Sequence, residues 1–270
     1  MRLVLFSLLL CAEPLLAQVP ANQAGQVAIV SVDLTPDSSV SSQEQQAVAD
    51  EITKHTYFPR HLEEMVERAR YTLQCDGYFK ADVSLADTRA VTPDQTAIAI
   101  TLAIQEGYQY RLSEITFTGN KAVLTSELRN QFTIANGDVF DTEKIRRGLE
   151  GIRRVYVSRG YINFVPVPNT DTDDATNSVS LKMDVDEGQP FRFGTLTIEG
   201  RELHPGDRQK MLNAWKPNEG GVYNGELVEQ FWKDMSPYLP QDWELQQHLG
   251  IHQDPQTAVA SLEIDLSGTN

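Results

Sequence analysis

The stretch Glu106-Gly107-Tyr108-Gln109-Tyr110-Arg111 recurs as Glu187-Gly188-Gln189-Pro190-Phe191-Arg192, an offset of 81 residues (188 − 107). The residues after each copy also match: Ile115, Phe117 and Gly119 align with Leu196, Ile198 and Gly200. A fainter repeat extends upstream. Gly77-Tyr78 and Gly160-Tyr161 lie 83 residues apart (160 − 77), and Tyr57 and Phe140 keep that offset (140 − 57). Self-similarity at the size of a small domain means an array of like modules, each able to hold one modest core. The organisation predicted is a signal peptide over 1–17, a linker over 18–25 and three modules over 26–106, 107–187 and 188–270.

The middle module has the clearest pattern. Arg111–Thr118 alternates polar and apolar residues and reads as a strand with one buried face, ended by a turn at Gly119-Asn120. Thr125 reads as the cap of a short helix, Ser126–Gln131, and Gly137-Asp138 as a second turn. Asp141 reads as the cap of a longer helix reaching Ser158, with Ile145, Leu149, Ile152 and Tyr156 at spacings of three and four. Gly160 ends that helix. Ile162, Phe164, Val165 and Val167 read as the next strand, the polar stretch 169–177 as a hairpin loop, and Val179, Leu181, Met183 and Val185 as the last strand.

The same order is traced upstream and downstream. Upstream it gives strand Val27–Leu34, helices Ser42–Lys54 and Arg60–Cys75, and strands Phe79–Leu85 and Ala97–Ile104. Downstream it gives strand Arg192–Glu199, helices near Asp207–Ala214 and Gly225–Tyr238, and strands Trp243–Leu249 and Ala258–Leu266. The expected fold is α+β: three tandem β-α-α-β-β modules, each a three-stranded sheet with two helices packed on one face. Pro166 and Pro168 cannot donate to a ladder, which places the fourth element at a sheet edge.

Met1-Arg2 and the apolar run Leu3–Ala12, stopped by Glu13-Pro14, read as a secretory signal, with Ala17 as one cleavage residue and Ala21 and Ala24 as alternatives. The run is shorter than the ~20 apolar residues of a membrane anchor. Its removal leaves Cys75 alone, so no internal disulfide is expected. A net charge of −15 speaks against nucleic acid as a partner. No Gly-x-Ser-x-Gly, phosphate loop, His-Glu-x-x-His or dinucleotide fingerprint is present, so the chain reads as a non-enzyme without cofactor or small-molecule substrate. His248 and His252 lack further ligands nearby, and no metal is expected. Arg146, Arg147, Arg153 and Arg154 form a basic stripe on the long helix, read as a solvated face, with an acidic partner or phospholipid headgroups as the alternative.

A module of this order, with Gly119-Asn120, Gly137-Asp138, Phe140, Tyr156 and Gly160-Tyr161 in place, resembles the polypeptide-transport-associated (POTRA) domain. The Glu-Gly-x-x-aromatic-Arg junction resembles the chaining of such domains in outer-membrane barrel-assembly proteins of the BamA and TamA type. There are departures: Thr35-Pro36-Asp37 and Gly200-Arg201 stand where Gly-Asn is expected, and Gln241-Asp242 near the place of Gly-Tyr. In that family a membrane β-barrel usually follows these domains. Four residues follow Leu266, so the expectation is an array without the barrel.

The resemblance implies a periplasmic polypeptide-binding scaffold for outer-membrane protein assembly or transport, secreted across the inner membrane and associated with the outer membrane. It implies unfolded or nascent outer-membrane proteins as clients, and an outer-membrane β-barrel protein as a further partner. Binding is expected by strand addition at sheet edges. The candidate edges carry Phe79, Ala81, Val83 and Leu85 in the first module, Ile162 and Phe164 in the second, and Trp243, Leu245 and Gln247 in the third. The inter-domain junctions are Gly107, Tyr110 and Arg111, then Gly188, Phe191 and Arg192. Either the glycines let the chain bend there, or the aromatic and arginine lock it. The alternative readings are a solitary secreted protein–protein adaptor and a fragment of a larger barrel-containing assembly protein.

Overall fold

A computed structural model describes residues 25–38, 40–200, 206–238 and 245–265. The first module runs β1 (Val27–Leu34), α1 (Ser42–Thr53), a two-residue β2 (Thr56–Tyr57), α2 (Glu63–Cys75), β3 (Asp82–Ala90) and β4 (Ala97–Gln105). Its sheet has the order β2-β1-β4-β3. β4 lies parallel to β1 and antiparallel to β3. The parallel pair needs a long crossover, which the two helices supply, while β3 and β4 are joined by a short turn. α1 opens with a capping box: Ser41 Oγ accepts the Glu44 N–H at 3.3 Å, and the Glu44 carboxylate accepts the Ser41 N–H at 2.8 Å. Val48 and Ile52 of α1 and Met65, Ala69 and Leu73 of α2 recur every four residues. They meet Ile29, Val83, Ile100 and Leu102 of the sheet in one buried cluster. Each large aliphatic group there contributes about 1.5–3 kcal/mol over its exposed state.

The middle module runs β5 (Arg111–Thr118), α3 (Thr125–Arg129), α4 (Thr142–Val157), β6 (Val165–Asp173) and β7 (Ser178–Asp186), with sheet order β5-β7-β6. Asp141 Oδ1 accepts the Lys144 N–H at 2.9 Å and caps α4. Ile145, Leu149, Ile152 and Tyr156 are buried, as are Val179, Leu181, Met183 and Val185 of β7. The third module runs β8 (Arg192–Glu199), α5 (Asp207–Ala214), α6 (Gly225–Met235), α7 (Leu245–His248), β9 (Leu249–Asp254) and β10 (Val259–Asp265). β10 lies between β8, its parallel neighbour, and β9, its antiparallel one. In all three sheets the last strand is central and the fourth element of the module is an edge.

The fold is therefore α+β as predicted, with corrections in detail. The first sheet has four strands where three were expected. The extra strand is β2, which pairs Ala28 with Thr56. At the equivalent places the later modules carry the single bridges Arg111↔Val139 and Arg192↔Val222. The fourth strands also start later than predicted. Phe79 and Ala81 precede β3, Ile162 and Phe164 precede β6, and the polar stretch 169–173 continues β6 where a loop was expected. Of these, Ala81 and Phe164 are buried and Phe79 and Ile162 half-buried, and that cover comes from packing without a ladder. In the third module Trp243 and the side chain of Leu245 lie outside the described residues. Gln247 is exposed on α7, and the strand begins only at Leu249. Leu124, not Thr125, holds the cap position of α3, without a side-chain cap.

The chain packs as two compact units. One takes residues up to Thr116 with 132–147 and 168–182; the other takes 117–131, 148–167 and the remainder from Met183. Tyr110 and its neighbours fall within the first unit, and Phe191 and its neighbours within the second. Among the described residues no helix is long and apolar enough to cross a membrane.

Candidate functional site

The repeated hexapeptide is a set of backbone hydrogen bonds used twice. At the first junction the Tyr110 N–H donates to Gly77 O at 2.9 Å, and Tyr110 O accepts the Phe140 N–H at 2.9 Å. At the second, the Phe191 N–H donates to Gly160 O at 2.8 Å, and Phe191 O accepts the Tyr223 N–H at 2.9 Å. The arginines next in sequence act alike: Arg111 donates to Gly137 O, and Arg192 to Gly220 O, each at 2.9 Å. Gly77 and Gly160 must be glycine for two reasons. Their φ angles are +87° and +91°, and a Cβ would stand 3.1 Å from Tyr110 O or 2.6 Å from Phe191 O. Gly107 and Gly188 run past Lys80 and Asn163, with 4.0 and 3.6 Å to the side-chain Cβ from the position a Cβ would take.

Side chains complete each junction. Phe79 packs on both Tyr110 and Phe140, with ring centroids 5.3 Å apart in each pair. Its counterpart Ile162 packs on the cluster of Phe191, Phe193 and Tyr223. Phe164 is buried and stacks on Tyr156 at 4.1 Å. Asp174 accepts hydrogen bonds from the Tyr110 hydroxyl and, at 2.6 Å, from Lys80. Burial, then the Asp174 acceptor, raises the Tyr110 pKa; the Lys80 ammonium, followed by Tyr110, lowers that of Asp174. In the second junction a neutral bond, Asn163 Nδ2 to Gln253 Oε1 at 2.7 Å, stands in the corresponding place. Glu187 accepts three donors there: the Tyr156 hydroxyl at 2.9 Å and the N–H groups of Lys121 and Ala122 at 2.8 Å.

Thus Phe79, Ile162 and Phe164, predicted on partner-binding strands, are junction and core residues, and Ala81 and Val83 are buried. Tyr223 escaped the sequence reading although it continues the offset of Phe140 (223 − 140 = 83). Lys80, Asp174 and Glu187 were also missed. Of these, only the glutamate of the repeated motif carried a signal.

The sheet edges differ in what they offer. Beyond Leu85 every residue of β3 is exposed. Between β3 and α2 runs a groove of 490 Å³ lined by Leu62, Val66, Val83 and Leu85 with Arg60 and Glu67 on its rim. β6 shows Val165 and Val167, about half exposed, but its prolines remove donors from that edge. β9 is exposed from Ile251 to Asp254. A second hollow, 580 Å³, lies among Glu44, Asp76, Asp138 and Asp141, with Arg111 and Lys144 beside them. Burial first, then Asp141 and Glu44, raises the Asp76 pKa. Among the described residues no group of His, Cys, Asp and Glu is arranged to hold a metal ion. His248 is buried against Asp265 O at 3.0 Å, and His252 pairs with Glu263 at 2.9 Å.

Two members of the arginine stripe are engaged within α4. Arg146 donates two bonds of 2.7 Å to Glu143, and Arg147 one of 2.8 Å. The Arg146 guanidinium, then that of Arg147, pulls the Glu143 carboxyl down to about 2. A depressed carboxylate contributes stability above its unfolded pKa of about 4.3 and loses it as pH falls toward the folded value. A ¹³C carboxyl titration should place Glu143 near 2. A midpoint close to about 4 would mean that the arginine clamp is not formed.

Residues 110–188 match the POTRA family model, described as a surface antigen variable number repeat. That match covers the middle module. The chain is 23% identical over 178 residues to the outer membrane protein assembly factor BamA of Buchnera aphidicola, covering 66% of this chain and 28% of that protein. It is 28% identical over 149 residues to BamA of Neisseria meningitidis serogroup B, covering 48% and 18%. It therefore spans under a third of the length of these two relatives. The crystal structure of Haemophilus influenzae BamA POTRA3-5 shares the fold, with a TM-score of 0.65 and 20% identity over 93% of this chain and all of that one.

Proposed function

We propose that this POTRA array is a periplasmic polypeptide-binding scaffold for outer-membrane protein assembly or transport, in association with the outer membrane. Its clients are unfolded or nascent outer-membrane proteins, and an outer-membrane β-barrel protein is its further partner. The relatives named as outer membrane protein assembly factors support this reading. Clients bind by strand addition, and the observation that carries this route is the β3 edge. It is nine residues long, exposed in its second half, and flanked on one side by an apolar-floored groove. Backbone bonds supply the affinity at about 1 kcal/mol net each, against the ordering cost of an extended client. Single sites are accordingly weak, in the range of about 10⁻⁶ to 10⁻³ M. The test is an NMR titration of the whole chain with peptides from unfolded outer-membrane barrels. Salt-insensitive amide shifts are expected along Asp82–Ala90, with smaller ones on Leu249–Asp254 and none on Val165–Pro168. Absence of shifts at millimolar peptide would sink the strand-addition route.

A further inference from the structure

Beside the β3 groove, a side chain of α2 reaches the backbone of the edge strand. Arg70 lies on α2 one turn beyond Val66 and Glu67, which line the groove. Its guanidinium donates to the Val83 carbonyl of β3 at 3.1 Å and to the Glu67 carboxylate, and stands 3.8 Å from Asp82. One fork of donors thus ties the helix to the edge strand. The surroundings are acidic. Glu63 and Glu67 line the groove and Asp82 starts the strand, while the other arginine, Arg60, sits over the Phe58 ring at 5.6 Å. A strand lying against β3 takes the place of the guanidinium at the backbone, which strips Glu67 and Asp82 of their cation.

We propose that Arg70 is a built-in plug of the β3 edge, and that the strand accepted there carries its own lysine or arginine to replace it on Glu67 and Asp82. This rests on the strand-addition reading. The client class it selects is an extended segment of alternating apolar residues with a basic residue on the groove side. Arg70 imitates that residue when no client is present, and keeps a bare edge from pairing with the wrong strand.

The test titrates the whole chain with two synthetic peptides of alternating apolar sequence, one with a central lysine and one with glutamine in its place. Binding is read from the Asp82–Ala90 amides. Arg70→Ala should bind the lysine peptide about tenfold more tightly than the parent, the weight of one charge-assisted hydrogen bond. Adding Glu67→Gln should abolish the lysine preference. Arg70→Lys keeps the cation and should bind as the parent does, while unchanged amide dispersion in each variant verifies the fold. Shifts on β3 with equal affinity in the parent and Arg70→Ala would overturn the plug and leave strand addition standing. A gain that persists in the Glu67→Gln double variant would overturn the basic-client assignment. No β3 shifts in any variant would defeat strand addition and this inference together.

Discussion

Phe191→Ala is expected to cost the third module about 3–5 kcal/mol, enough to leave it unfolded or nearly so. The total stability of a module of roughly 80 residues is only about 4–12 kcal/mol. Phe191 is 1% exposed and sits in a cluster with Phe193, Tyr223, Val228, Ala260 and Leu262. Ile162, from the segment before β6, packs on the same cluster. The cavity would therefore open at the seam where the third module receives the chain, and little around it is free to collapse. The three tryptophans, Trp215, Trp232 and Trp243, all belong to the third module, so fluorescence reports on it selectively. In urea the fluorescence transition should move to much lower denaturant or disappear, while the α1–α2 helical signal of the first module keeps its midpoint. An unchanged fluorescence midpoint would show that Phe191 does not anchor the third core.

Gly160→Ala is expected to cost about 2–4 kcal/mol on the same readout. Part of this is conformational: at φ +91° an L side chain carries roughly 1–2 kcal/mol of strain. The rest is steric, because the new Cβ would stand 2.6 Å from Phe191 O, the atom that also accepts the Tyr223 N–H. Relieving that clash means lengthening the bond from Phe191 N–H to Gly160 O or the one from Tyr223, and each is worth about 1 kcal/mol net. Gly220→Ala separates the two contributions. Gly220 lies at φ +79° with nothing within 4 Å of its would-be Cβ, so only the conformational part should appear. If both variants shift the midpoint equally, the close approach at Gly160 is not a constraint.

The array, its period and most of its elements were legible because they rest on local chemistry. The 3.6-residue spacing of Ile145, Leu149, Ile152 and Tyr156 is a property of one helix, and the alternation of Val179, Leu181, Met183 and Val185 a property of one strand. Asp141 caps α4 because the orphan Lys144 N–H lies within reach of any acceptor at that place. The repeated motif likewise recurs with a shared set of backbone bonds, since those bonds use groups present in each copy.

Tertiary structure decided where the fourth strands begin and what their apolar residues do. Phe79 and Phe164 alternate like strand residues, yet they are ring contacts for Tyr110, Phe140 and Tyr156. Period two reports that a side chain is buried, and says nothing of whether its backbone belongs to a ladder. The pairing of Lys80 with Asp174 joins residues 94 apart, and the reach of Arg70 to Val83 O needs α2 laid along an edge. Such contacts depend on how separate elements are brought together by the burial of their apolar faces. A single sequence encodes that arrangement in the sum of its packing and in no one motif.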